Sequence, residues 1–123
     1  MQDLQHEELT IRVEQEGDTM CLRWQGKSTA RTPGTFLLPF FQAVVNEIGE
    51  RKIHVDNDLT RLQHLNSSTL AAMIGIIRLF RNGDVSMRVL YDPMVGWQER
   101  SIDALRILES PTSIVRFEAS RGR

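Results

Sequence analysis

Apolar and polar residues alternate along ELTIRVEQ. Leu9, Ile11 and Val13 fall on one side, and Thr10, Arg12 and Glu14 on the other. This period of two predicts a strand with one wet face. Gly17-Asp18 supplies turn chemistry. MCLRWQG then repeats the alternation, with Met20, Leu22 and Trp24 inward and Cys21, Arg23 and Gln25 outward, so the two segments predict a hairpin. KSTARTPGT has loop composition. Beyond it, Phe36, Leu37, Phe40, Phe41, Val44, Val45 and Ile48 recur at helical spacing. Pro39 lies near the start of that pattern and predicts a helix that begins later than the pattern itself.

IHVDNDLT predicts the third strand, Ile53, Val55 and Leu59 alternating with His54, Asp56 and Asp58. Leu70, Met73, Ile74, Ile77 and Phe80 form a second helical stripe, ended by Asn82-Gly83, both tolerant of a left-handed backbone. VSMRVLY predicts the fourth strand and Asp92-Pro93 breaks it. A third helix is expected from about Val95 to Leu108, its stripe made of Trp97, Ile102, Leu105 and Leu108, and SIVRFE reads as a short edge strand. Residues 1–7 and 119–123 are expected to be flexible tails. With no repeat and no linker, residues 1–123 read as a single domain.

After the hairpin, strands and helices alternate, which predicts parallel strands joined by helical crossovers. A sheet covered on both faces would show continuous apolar strands, whereas these keep a polar face. The expected fold is therefore a two-layer α/β sandwich: a mixed four- to five-stranded sheet with an N-terminal hairpin and helices on one face.

Composition narrows the function. The net charge of −1 does not favour nucleic acid, which calls for a basic patch or stripe, and gives no general pull towards anionic membranes. The longest clean apolar run, LAAMIGII, falls far short of the roughly 20 residues of a membrane helix. A single cysteine, Cys21, excludes an internal disulfide, and MQDLQHEE is unlike a signal peptide. A cytoplasmic location is expected. No GxGxxG or Walker-type sequence marks a nucleotide fold.

His54, Asp56 and Asp58 share one strand face, with neighbours about 6.6 Å apart. That spacing permits acid–base chemistry or a metal site, but three alternating polar residues are also what a solvated strand face shows, and we adopt that reading. Cys21 lacks a clear base and orienting partner for work as a nucleophile. His64, beside a hydroxyl cluster, is a general-base candidate or a plain loop residue. Trp24 and Trp97 match the inward stripes and read as core.

The cluster itself is HLNSSTLAAM, where polar sequence gives way to the second helical stripe. Asn66, Ser67 and Ser68 are all good N-cap residues. A helix start also offers unpaired N–H groups and a positive dipole end, so a phosphate placed there is stabilised. Capping and modification are compatible readings.

The stretch DLTRLQHLNSSTLAAMIGIIRLF resembles the core of STAS domains, the fold of bacterial anti-sigma-factor antagonists. Asp58-Leu59 takes the strand-end position and Asn66-Ser67-Ser68 the motif position that opens a helix. Asn66 stands where that wider family has aspartate, and Thr69 where it has glycine. The SiaC-type regulatory phosphoproteins, which are STAS-like, are more similar: they carry a Leu-Asn-Thr/Ser-Ser stretch before an Ala-Met-containing helix. The likeness is best over residues 53–92. It implies a non-catalytic protein that works by partner switching, with Ser67 as phospho-acceptor and Asp58 as a structural strand end. The implied partners are a kinase of the histidine-kinase-like ATPase fold, a PPM-type serine/threonine phosphatase, and a target, either a diguanylate cyclase or an anti-sigma factor. No cofactor and no metal are called for. Proximity in sequence makes Arg61, Gln63, His64, Asn66, Ser68 and Thr69 the candidate partner contacts. A small-molecule or nucleotide sensor, with the helix-start hydroxyls holding a ligand phosphate non-covalently, is the alternative. A small enzyme built on His54, Asp56 and Asp58 is a third reading.

Overall fold

A computed structural model describes residues 1–49, 51–108 and 114–120. Strands β1 (Leu4–His6), β2 (Leu9–Glu16) and β3 (Thr19–Ser28) form an antiparallel meander. Strands β4 (His54–Asp58), β5 (Leu62–Leu65), β6 (Met87–Tyr91) and β7 (Val115–Ala119) are all parallel to their neighbours. Among the described residues these seven strands form one sheet in the order β1-β2-β3-β4-β6-β7, with β5 paired beside β3. Helices α1 (Gly34–Ile48), α2 (Ser67–Asn82) and α3 (Gly96–Leu105) are the crossovers, α3 ending in a 3₁₀ turn at Arg106–Leu108. This is the predicted one-sided, two-layer sandwich with its N-terminal hairpin, enlarged by β1 and β5.

The inner sheet face and the helices close on one core. Ile11, Leu22, Trp24, Val55, Met87 and Val115 meet Leu37, Phe41, Val44, Ile76, Phe80 and Ile102, all fully or almost fully buried. On β4 the polar Asn57 enters this layer, buried, and its side-chain oxygen accepts the Trp24 indole N–H. The indole donor thus has the partner a buried tryptophan needs.

Four expectations are corrected. Residues 1–7 are not all tail, because Leu4–His6 pairs with β2 and the Asp3 carboxylate accepts the Val13 amide at 2.8 Å. At the other end Ala119 lies in β7, and residues 121–123 fall outside the described residues. Helix α1 begins before the proline, at Gly34, with Pro39 inside it. Its first turn is held by the Thr35 amide and hydroxyl, which both donate to the Thr32 carbonyl, and the cost is the helical donor that Pro39 cannot supply to the Thr35 carbonyl. At the end of α2 the left-handed residue is Asp84, φ 55°, while Gly83 is right-handed at φ −86°. Gly83 serves close packing instead: a Cβ there would lie 2.4 Å from a Val45 methyl of α1.

The fourth correction bears on the site. The alternation predicts no strand at Leu62–Leu65, yet it forms β5. Strand β3 is long enough for two parallel partners in succession: β4 pairs with Thr19–Arg23, and β5 with Gly26–Ser28. The chain between them, Leu59–Arg61, interrupts the ladder. Register slips at Gly26/Lys27, so that Gln63 is the extra residue of a bulge. Gly26 has φ 84°, and a Cβ on it would sit 1.9 Å from the Glu8 carbonyl oxygen. Gly26→Ala is therefore expected to destabilise the protein by about 2 kcal/mol or more, as a shift of the urea midpoint at unchanged slope.

Candidate functional site

Strand β5 delivers the chain to Asn66, the N-cap of α2. The Asn66 side-chain oxygen accepts the Thr69 amide at 2.8 Å and the Thr69 hydroxyl at 2.7 Å. Its NH₂ donates to the Ala30 carbonyl at 2.9 Å, and its backbone N–H donates to the Ser28 carbonyl at 3.0 Å. An aspartate could accept the same two bonds but has nothing to donate to Ala30. This gives a physical reason for asparagine at the position.

Thr69 is fully buried, and its Oγ lies 2.7 Å from the Ser28 Oγ, itself buried. It therefore ties the first turn of α2 to the end of β3 and presents nothing to a partner, which corrects its assignment as a contact. Asn66 is half-buried with its polar atoms engaged inside the fold, so it too acts mainly as scaffold. A glycine at residue 69 would lack this anchor. Thr69→Val keeps the shape and strands the Ser28 hydroxyl, and is expected to cost about 1–3 kcal/mol in chemical denaturation.

Ser67 and Ser68 are exposed, at the first two positions of α2. Among the described residues neither their hydroxyls nor their backbone N–H groups have a hydrogen-bond partner. The cluster thus divides: Asn66 caps, Thr69 anchors, and two serines remain open beside unpaired helix-start amides. Arg61, Gln63 and His64 are also exposed. Ordinary alternation would bury one of Gln63 and His64; the bulge turns both outward, between buried Leu62 and Leu65.

Asp58 is the last residue of β4. Its Oδ1 accepts the Thr60 amide at 2.9 Å and the Thr60 hydroxyl at 2.7 Å, closing the turn that leads to β5. Sequence reasoning missed Gln98, which reaches the same turn from α3: its Nε2 donates to the Leu59 carbonyl at 2.9 Å. The available signal was its place on the apolar stripe, four and seven residues before Ile102 and Leu105. Ser28, the last residue of β3, and Ala30, just beyond it, were missed because they lie far away in sequence; both offer backbone carbonyls, and Ser28 its hydroxyl as well.

The uncovered sheet face carries ion pairs. Arg88 holds Asp56 with two bonds, Nε to Oδ1 at 2.9 Å and Nη2 to Oδ2 at 2.8 Å, and reaches Glu118 at 2.8 Å. His54 Nε2 lies 2.8 Å from Asp56 Oδ1 and its Nδ1 lies 3.1 Å from Ser86 Oγ. His54 and Asp56 are therefore spent on one another and on Arg88, while Asp58 turns to Thr60. Among the described residues no group of three or more His, Cys, Asp or Glu is arranged to hold a metal. Burial pushes the Cys21 thiol above its ordinary value, with Arg23 acting against it, which is the wrong direction for a nucleophile. A cavity of about 630 Å³ is lined by Arg51, Lys52, His54 and Ser86 among others, at the far end of α2; none of Asn66–Thr69 lines it.

Burial alone would raise the Asp56 carboxyl, but Arg88 and His54 outweigh it and hold it below the usual aspartate value. A depressed folded value means stability that is present above the ordinary aspartate range and is lost as pH falls through the folded value. Asp56→Asn is expected to be less stable than the parent at pH 7, with the gap closing on acidification below about pH 4, followed by thermal melts across pH.

No protein-family model matches the chain, and no curated protein matches it. Among solved structures, the chain is similar to SiaC of Pseudomonas aeruginosa, with TM-score 0.61 and 22% identity over 98% of this chain and 100% of that one. The fold is SiaC-like. The likeness spans the hairpin, the parallel strands and all three helices, well beyond the stretch 53–92 that carried the sequence resemblance. Within this SiaC-like fold the Ser67 hydroxyl stands at the start of α2, at the end of the sheet where β4 gives way to β5. No helix among the described residues is long and apolar enough to cross a membrane.

Proposed function

We propose that this protein is a non-catalytic regulator that acts by partner switching, its binding to a target controlled by reversible phosphorylation at Ser67. The observation that carries this reading is the division of the hydroxyl cluster. Thr69 is buried and bonded, whereas Ser67 is exposed and unbonded at the first position of a capped helix. A phosphate there meets free N–H groups and the positive end of the helix. It adds about −1.5 to −2 charges without removing a bond that holds the fold. The SiaC-like fold and the resemblance of Asp58–Phe80 to STAS-type antagonists support the same reading.

A kinase of the histidine-kinase-like ATPase fold supplies the phosphate and a PPM-type phosphatase removes it. The target is a diguanylate cyclase or an anti-sigma factor, and the protein works in the cytoplasm. The contact edge consists of Arg61, Gln63, His64 and Ser68 around Ser67. Moving a target from about 99% to about 1% bound requires a differential affinity of about 5.5 kcal/mol, within reach of a desolvated, unpaired charge in an interface.

Incubation with the cognate kinase and ATP is expected to add one phosphate per chain, abolished in Ser67→Ala. The parent is expected to release its target on modification, while Ser67→Ala stays bound. Phosphate on another residue, or none at all under conditions in which the kinase is active, overturns the assignment. Both outcomes are read by intact-mass and peptide mass spectrometry.

A further inference from the structure

Gln98 is a polar side chain in an apolar stripe, and it is 1% exposed. Its Nε2 donates to the Leu59 carbonyl at 2.9 Å and the Leu62 carbonyl at 3.2 Å, with the Thr60 carbonyl at 3.4 Å. Its Oε1 accepts the Asp92 amide at 2.8 Å. Only a primary amide offers two donors and an acceptor on one short side chain. Gln98 therefore joins the turn between β4 and β5 to the chain just beyond β6.

The turn needs this support because its carbonyls lie where the ladder is interrupted. The Leu59 amide still reaches the Leu90 carbonyl, and the Leu62 amide closes on the Leu59 carbonyl. Gln98 adds a second donor to the Leu59 carbonyl and supplies one to the Leu62 carbonyl, inside a turn where a carbonyl left unpaired away from water is costly. The strand beyond the turn is short: β5 spans Leu62–Leu65, pairs with β3 through a bulge, and runs straight into Asn66 and Ser67. A strand of this length, with a register shift in its pairing, does not fix its own register strongly. The clamp at its entrance does.

We propose that Gln98 is a positioning residue for the Ser67 site. It sets where β5 begins on β3, and so how Arg61, Gln63, His64 and Ser67 are presented together. It also couples this edge to the chain at Asp92, so that strain at the start of α3 reaches the acceptor loop. The part concerning phosphate transfer rests on Ser67 being the acceptor; the part concerning the β4–β5 turn does not.

Two variants of the full chain test it. Gln98→Leu keeps the size and the apolar stripe but loses donor and acceptor alike. Gln98→Glu keeps the acceptor and, as a carboxylate, sets charge against three carbonyl oxygens; it regains a donor only on protonation. Amide hydrogen exchange is read over residues 62–70, normalised to the parent at each pH, with core amides of α1 as internal reference. At pH 8 both variants are expected to exchange about tenfold faster than the parent over residues 62–70, with α1 little changed. At pH 5 Gln98→Glu is expected to move back towards the parent while Gln98→Leu does not. With the cognate kinase and ATP, Gln98→Leu is expected to raise KM more than it lowers kcat.

Parent-like exchange over residues 62–70, an equal rise throughout α1, or no acid recovery in Gln98→Glu would each overturn the inference. If Gln98→Leu does not fold, the pH response of Gln98→Glu decides alone. A parent chain that takes no phosphate removes the Ser67 reading and leaves the exchange result to judge the clamp.

Discussion

Strand β3 is shared by two parallel partners, and the candidate site hangs from that fact. Its first half pairs with β4 and its last residues with β5. One continuous strand in place of β4 and β5 would have carried its alternation straight through the position of Thr60. The break lets the chain turn, bulge and enter α2 from a new direction. Two polar side chains hold the turn at the break, the Asp58 carboxylate on Thr60 and the Gln98 amide on the turn carbonyls. Both engage backbone groups in the stretch where the ladder is interrupted. On the other side of β3, Gly26 has no Cβ to hinder the Glu8 carbonyl, which accepts the Lys27 amide.

The hydroxyl cluster illustrates how a helix start combines scaffold and surface. A cap residue has to face its own first turn, so Asn66 points inward and its NH₂ finds Ala30. The third residue of the helix joins it on the buried side, where Thr69 meets Ser28. The first and second residues point away from that side by helical geometry. Ser67 and Ser68 are thus open because Asn66 and Thr69 are committed. The two positions at which the chain departs from the wider antagonist pattern, Asn66 and Thr69, hydrogen-bond to each other and extend the same anchor to β3 and the loop after it.

Much of the fold was legible because a one-sided sheet writes its pattern clearly: β2, β3, β4, β6 and β7 all showed alternation, and all three helices showed their stripes. The missed elements broke period for physical reasons. In β5 the bulge puts two exposed residues between two buried leucines, so no period of two survives. In β1 three residues pair with little apolar content, and composition resembles a tail. Helix α1 starts before its proline because hydrogen bonds from Thr35 to Thr32 hold the first turn, a local detail that the apolar pattern does not carry. At the site, local chemistry offered Asn66, Ser67 and Ser68 as caps, and the structure gives that place to Asn66; Ser67 was singled out by the family resemblance. The burial of Thr69 did not come from local chemistry, since it depends on Ser28, far away in sequence. Gln98 shows the same limit: a lone polar residue on a stripe says that it has partners, never which ones.

The way α2 is seated bears on what a modification at its start is able to do. Its far end is wedged at Gly83 against Val45, and midway Gly75 takes the Leu38 side chain so closely that a Cβ would lie 3.0 Å from it. Along the helix Ala72, Met73, Ile76, Ile77 and Phe80 are buried. At its near end the Asn66 and Thr69 bonds tie it to β3 and the adjoining loop. A packed core of this kind does not deform continuously. A charge added on Ser67 meets free amides outside this seat and breaks none of the bonds within it, so nothing pushes the helix towards a second position. On the proposed reading its effect is confined to the surface that another molecule approaches, and what it changes is met by a partner at that surface rather than relayed through the fold.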